Sequence, residues 1–347
     1  MYICRHKVIN VRSTWADTLK VAMIYLVVLG HIGGYDPEVQ KVIYSFHMPV
    51  FIFLSGFLTS LDKGRKEQDG WLRRTFLIYA GAQAGHILLT LVINCNSSYL
   101  HKTPLDVSFL NWRVFIVPQP ILWYLVSLII WRLSAWRILR FCYRKSMFSK
   151  TYGSAVIVSV SLILALAGGF VPLDGELSFQ RTFAFLPFFV LGVVFKKENL
   201  MHSLEKIPAW VAALLLLFGF YAAYIFPWSY QPNVHYADIQ GLFVRMMQTA
   251  LGLVLCLSVL RLFQIKTGAF SFMGRICTKL AGYGRYTLWI YIGHSFLNRF
   301  NGYVIAAAGK VIPGFEMNLM FAVILALFYC IVCIGAARLF QKRSLIL

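Results

Sequence analysis

The 347-residue sequence predicts an all-α membrane protein, a polytopic bundle of about ten transmembrane helices. It is expected to form one domain over residues 1–347 with both termini in the cytoplasm. Three observations predict this. Apolar residues make up 59% of the chain and charged residues 13%, against about 45–50% and about 25% in soluble domains. Mean hydropathy is +0.69. The apolar runs extend from residue 16 to residue 340, each near the roughly 20 residues that cross a bilayer as a helix.

Spans are predicted at 16–34, 41–60, 74–94, 118–135, 153–171, 181–196, 208–227, 239–262, 284–306 and 317–339. The first is expected to remain in the chain, because it holds Asp17 and Lys20 and no small-x-small cleavage site follows it. The net charge is +20, and its distribution gives it meaning. Twenty-five Lys and Arg fall within residues 5–12, 63–74, 132–150, 196–206, 261–285 and 338–343. Only Lys41, Lys102, Arg113, Arg181 and Lys310 fall on the opposite side. That positive-inside bias places both termini in the cytoplasm and makes nucleic acid an unnecessary partner for the basic charge.

Cys4, Cys95, Cys142, Cys256, Cys277, Cys330 and Cys333 make no disulfide framework. Cys330 and Cys333 sit in the last apolar run without the His or Cys companions of a zinc site, so no metal is expected. Asn96-Ser97-Ser98 is a formal glycosylation sequon, meaningful only in a eukaryotic secretory setting.

Three basic residues fall inside spans: Lys20, Arg245 and Arg299. A charge at the bilayer centre costs about 2.5–3.5 kcal/mol even on lenient scales, so it must face a bundle interior or snorkel from a span end. Arg245 and Arg299 lie some six to eight residues from the nearest predicted end, too deep for easy snorkelling. Lys20 and His31 are eleven residues apart, three turns plus roughly 20°, which puts both on one face about 16 Å apart. Asp17, three residues before Lys20, lies near that stripe and can pair with it. Such a stripe implies a polar path into the bundle. A structural histidine with a snorkelling lysine satisfies the same spacing, and the spacing alone does not choose.

The second span carries His47 next to Pro49, which removes one backbone donor. His47 is either a second active-site group or the partner of the carbonyl that the proline frees. Ser55-Gly56 is a small pair that lets a neighbouring helix come close. In the ninth span Tyr291, His294 and Asn298 stand at i, i+3 and i+7 with Arg299 beside them, on overlapping faces suited to a polar pocket. Nucleophile-elbow, Walker, Rossmann and H-E-x-x-H motifs are absent, and no Asp or Glu lies deep in a span. A histidine titrates near neutrality without large perturbation, so base catalysis falls to His31.

These residues carry a resemblance. Asp17-x-x-Lys20-x(10)-His31, Ser45-Phe46-His47-Met48-Pro49 with Phe53-Leu54-Ser55-Gly56-Phe57, and Trp123-Tyr124-Leu125 resemble acyltransferase family 3. So do Arg181-x-x-x-Phe185-x-Pro187-Phe188-Phe189-x-x-Gly192 and Gly284-x-x-Thr287-Leu288-x-Ile290-Tyr291-x-x-His294. The closest look is to the fucose 4-O-acetylase-like branch. The blocks run in order from the first to the ninth span. Lys20 stands where many members have Arg, Thr287 where Ser is common, and no equivalent of the acidic residue after the third span is found.

The resemblance implies a ten-helix bundle in a bacterial cytoplasmic membrane, embedded in lipid, that performs O-acetylation. The donor substrate would be acetyl-CoA or another acyl-CoA, with no permanently bound cofactor. The acceptor would be a sugar hydroxyl of a surface polysaccharide or its lipid-linked precursor. On this reading His31 is the base and Lys20 contacts the donor or orients the site. Arg181, Arg299 and His294 line the pocket, and Asp17, His47, Ser55 and Tyr291 complete the donor- and substrate-binding set. Ser55 is also a candidate acyl carrier. The same buried cations suit a transporter or flippase for a lipid-linked glycan or small anion, which broken helices would favour. A non-catalytic scaffold is the third reading.

Overall fold

The structure is a computed structural model that describes residues 14–119, 121–144, 150–173, 175–226, 232–264, 272–312 and 314–343. Cys4, Arg5, Lys7, Arg12, Lys145 and Lys266 lie outside the described residues. Within them the chain is helical and has no strand. Helix α1 spans Thr14–Ile32, α2 Pro37–Phe57 and α3 Arg65–His101, followed by a single turn, α4, at Arg113–Ile116. Helix α5, Trp123–Ser134, runs through a π-helical turn at Ala135–Leu139 into α6, Arg140–Arg144. Next come α7 (Lys150–Ala167), α8 (Phe179–Lys197), the short α9 (Leu200–Glu205), α10 (Ala209–Ile225) and α11 (Ile239–Phe263). Then α12 (Phe272–Ala281), α13 (Thr287–Leu297) and α14 (Asn301–Val311) follow one another across 3-10 turns, and α15 (Leu319–Arg343) closes the chain.

A helix covers the centre of each predicted segment. Among the described residues, six helices are long and apolar enough to cross a membrane, and α10 is apolar but shorter. The shortfall against ten has local causes. Glu38, Gln40 and Lys41 dilute the start of α2. The fourth segment, expected from residue 118, becomes helical only at Trp123, after Pro118 and Pro120. The ninth, expected as one span over 284–306, is cut by 3-10 turns at Gly282–Tyr286 and Asn298–Phe300.

Local chemistry fixes the junctions. Gly33 and Gly34, at φ 67° and 74°, make the turn between α1 and α2. Asp36 then caps α2 by accepting from the Glu38 N–H at 2.8 Å, with Pro37 in the first turn. The α2–α8 crossing is equally specific. A Cβ on Gly56 would overlap the carbonyl oxygen of Phe189, and one on Gly192 that of Phe53. The glycines of two separate sequence blocks therefore permit one backbone contact, as expected for Ser55-Gly56. Cys333 has a plainer role than redox or metal chemistry: it is buried in α15, with its Sγ against Gly293.

Helix α3 is inside-out. Its buried residues are Gln68, Thr75, Ala82, Gln83 and His86, four of them polar. Phe76, Leu77, Leu88 and Val92 are exposed. A helix with polar residues inward and large apolar ones outward suits lipid, not water. The Gln83 amide, midway along α3, donates to the carbonyls of Val114 (2.8 Å) and Val117 (3.2 Å) and accepts from the Gln119 N–H (3.0 Å). This draws the α3–α5 connector against the middle of the bundle and starts α5 inside it.

Candidate active site

Three histidines from three helices gather where α1, α2 and α13 meet. The Nδ1–H of His31 donates to the carbonyl of Val27 at 2.7 Å. That of His47 donates to Ile43 at 2.6 Å, and that of His294 to Ile290 at 2.8 Å. Each is the same bond, from a helical side chain to the carbonyl four residues back. A carbonyl can only accept, so each Nδ1 carries its proton, and each neutral ring keeps a lone pair on Nε2. His47 and His294 are buried, and their Nε2 atoms have no hydrogen-bond partner among the described residues. His31 is the partly exposed member of the three.

The rings form one chain of contacts. His31 lies 5.5 Å from His294 and 6.1 Å from Tyr44 between ring centroids, and Tyr44 lies 5.2 Å from His47. On the far side His294 is 6.2 Å from Tyr291, and Tyr291 is 5.5 Å from Tyr124. The Tyr291 hydroxyl donates to the carbonyl of Ile121, where α5 begins. Arg181 supplies the positive charge. Its guanidinium packs 5.3 Å over Trp123 and lies within electrostatic reach of His31, Tyr44 and Tyr291.

His47 bonds Ile43 and not Ser45, whose carbonyl Pro49 leaves without its helical partner, so the proline does not explain the histidine. Ser55 donates to the carbonyl of Phe51 at 2.9 Å and meets the Tyr124 hydroxyl at 2.6 Å. Lys20 pairs with Asp17 at 2.5 Å, as their spacing allows. Gly284 packs directly on Asp17, where a Cβ would come within 3.0 Å of its side chain, so the glycine of the ninth-segment block seats this ion pair.

Two in-span arginines stand apart from the cluster. Arg299 is exposed on a 3-10 turn and donates to the Thr90 hydroxyl at 2.9 Å. Arg245 is buried but donates to the carbonyl of Val234 at 3.0 Å and stacks on Tyr236, so the connector before α11 folds over it.

Sequence reasoning did not anticipate His86. It is buried on α3, bonded at 2.8 Å to Ser295, the residue after His294, and stacked on Phe296 at 4.1 Å. The signal was present: Thr75, Gln83, His86 and Thr90 follow a helical stripe through an otherwise apolar run. Tyr44, one helical turn before His47, was also missed, and Tyr124, quoted only within its motif block, is brought to Tyr291 by long-range packing.

A sequence model of acyltransferase family 3, described as an acyltransferase domain, matches residues 13–338, nearly the whole chain. No curated protein and no solved structure matches it.

Proposed function

The chain belongs to acyltransferase family 3 and is a membrane acyltransferase; from that premise we propose that it moves an acetyl or other short acyl group from cytoplasmic acyl-CoA to a sugar hydroxyl of a cell-surface polysaccharide or its precursor. The motif blocks support a place in the fucose 4-O-acetylase-like branch and a bacterial cytoplasmic membrane. One observation carries the reading. His31 holds its Nδ1–H on Val27, so its Nε2 is a base, and it is the partly exposed imidazole of the cluster.

The chemistry follows from that atom. Nε2 of His31 takes the proton of the acceptor hydroxyl as the oxygen attacks the thioester carbonyl. Arg181 stabilises the oxyanion that develops. The C–S bond then breaks and the imidazolium returns the proton to the departing sulfur, giving an ester and free CoA. Nε2 of His47 and of His294 accept hydrogen bonds from the sugar. Lys20, already paired with Asp17, orients the foot of α1 towards the donor. Ser55 gives its proton to a carbonyl and accepts from Tyr124, so it has no adjacent base to activate it; this favours direct transfer over an acyl-serine.

A transporter or flippase gains two specific observations, the interrupted ninth segment and the start of α5 within the bundle. Purified protein in proteoliposomes separates the two. With acyl-CoA outside and a glycan acceptor present, acyl transfer releases one thiol per ester formed. Movement of a lipid-linked glycan without thiol release would favour the flippase and reject the proposed reaction.

A further inference from the structure

A second polar cluster lies where α5, α6 and α8 meet the connector between α2 and α3. Arg132 packs its guanidinium 3.9 Å over the Trp71 ring, and its Nε is enclosed with no hydrogen-bond partner among the described residues. Arg140 packs 5.2 Å from Trp136, donates to the carbonyl of Lys63 at 3.3 Å, and likewise has an enclosed Nε without a partner among the described residues. The Trp136 indole N–H donates to the same carbonyl at 3.0 Å. Lys196 reaches in from the end of α8 and donates to the carbonyl of Thr59 at 3.1 Å, close enough to Arg132 for their charges to interact.

Asp62 lies within electrostatic reach of Lys196, but among the described residues no carboxylate is at ion-pair distance from any of these three cations. Lys196 and Arg132 repel one another across the same connector that Arg140 bonds, and an enclosed guanidinium nitrogen without an acceptor among the described residues carries a desolvation cost. An anion removes both penalties. A flat guanidinium on an indole suits a phosphate at its edge and a base stacked beside the rings.

The cluster also leads somewhere. Arg132 is within electrostatic reach of Tyr124, which bonds Ser55 and neighbours Tyr291. From Tyr291 the ring contacts continue to His294 and His31. The cations stand at one end of this chain of packed side chains, and neutral hydroxyls and imidazoles stand at the other. A ligand with a highly charged end and a neutral reactive end matches that gradient.

We propose that Arg132, Arg140 and Lys196, with the Trp71 and Trp136 rings, hold the phosphates and base of the acyl-CoA nucleotide, so that the pantetheine arm runs along the tyrosines and presents the thioester to His31. The assignment rests on the acyl-CoA reading above, and its test separates the two. Full-length protein in detergent is assayed with two donors, acetyl-CoA and acetyl-pantetheine, which carries the same thioester but no nucleotide. Binding of adenosine 3′,5′-bisphosphate is measured directly, without turnover.

Arg132→Gln should raise the KM for acetyl-CoA about tenfold or more and leave acetyl-pantetheine kinetics unchanged, because a charge-assisted contact to phosphate is lost. Lys196→Gln, at an exposed side chain whose change does not threaten folding, should weaken bisphosphate binding several-fold. Equal effects on both donors, or no effect on acetyl-CoA, would overturn the subsite. If phosphatidylglycerol in nanodiscs displaces the bisphosphate while acetyl-CoA does not, the cluster belongs to a lipid headgroup. If wild-type protein transfers from neither donor, the acyl-transfer reading fails, and bisphosphate binding alone still decides whether the cluster holds a nucleotide.

Discussion

The two ends of α1 are built on opposite principles. At one end Lys20 and Asp17 satisfy each other at 2.5 Å, with Gly284 packed against the pair. At the other, His31 joins His47 and His294, whose Nε2 lone pairs have no partner among the described residues. A paired ion has spent its interaction inside the protein, and removing half of it weakens the fold. An enclosed acceptor without a partner keeps its capacity for something that arrives from outside. The first end predicts large effects on stability, the second large effects on turnover.

Lys20→Ala should break this comparison most visibly in stability, because it removes an ion partner of the largely enclosed Asp17 carboxylate, at a cost of roughly 1.5–3 kcal/mol. Thermal unfolding in detergent should show that loss, and the double variant Asp17→Asn/Lys20→Gln should recover most of it. A Lys20→Ala protein as stable as wild type would mean the pair is not a unit. Lys20→Arg keeps the pairing and should resemble wild type.

His294→Gln sharpens the other side. One hydrogen bond to the acceptor is lost, so kcat/KM should fall roughly three- to tenfold while unfolding stays unchanged. Destabilisation without a change in kcat/KM would make His294 a packing residue. His86→Phe keeps a ring against Phe296 but loses the bond to Ser295, and should cost about 1 kcal/mol of stability. Arg299→Ala should do least: its side chain is exposed and bonded to Thr90, so activity and melting temperature should both stay near wild type. A tenfold loss of activity there would return Arg299 to the site.

Much of this arrangement was legible in the sequence because it is local. The eleven-residue spacing of Lys20 and His31, the i,i+3 pair of Asp17 and Lys20, and the small pair Ser55-Gly56 all express helical geometry. What escaped is long-range. Nothing near Arg132 shows that it will stack on Trp71, sixty-one positions away in the chain. That Arg299 would sit exposed on a 3-10 turn was likewise invisible in hydropathy. The stripe on α3 was legible and was missed for another reason: Gln and Thr are mild enough polar residues to leave an apolar average undisturbed. In a lipid-facing helix, weak polar residues at helical spacing mark the interior as clearly as charges do.

The central claim is that His31 acts as a base through Nε2, and His31→Gln tests it most directly. Glutamine keeps hydrogen-bonding capacity at that position but cannot take a proton. The variant should remain monodisperse, bind acyl-CoA as wild type does, and lose about 10²–10⁴-fold in acyl transfer measured in a single turnover. A folded His31→Gln protein that transfers the acyl group at the wild-type rate would contradict the account and move the base to His47 or His294.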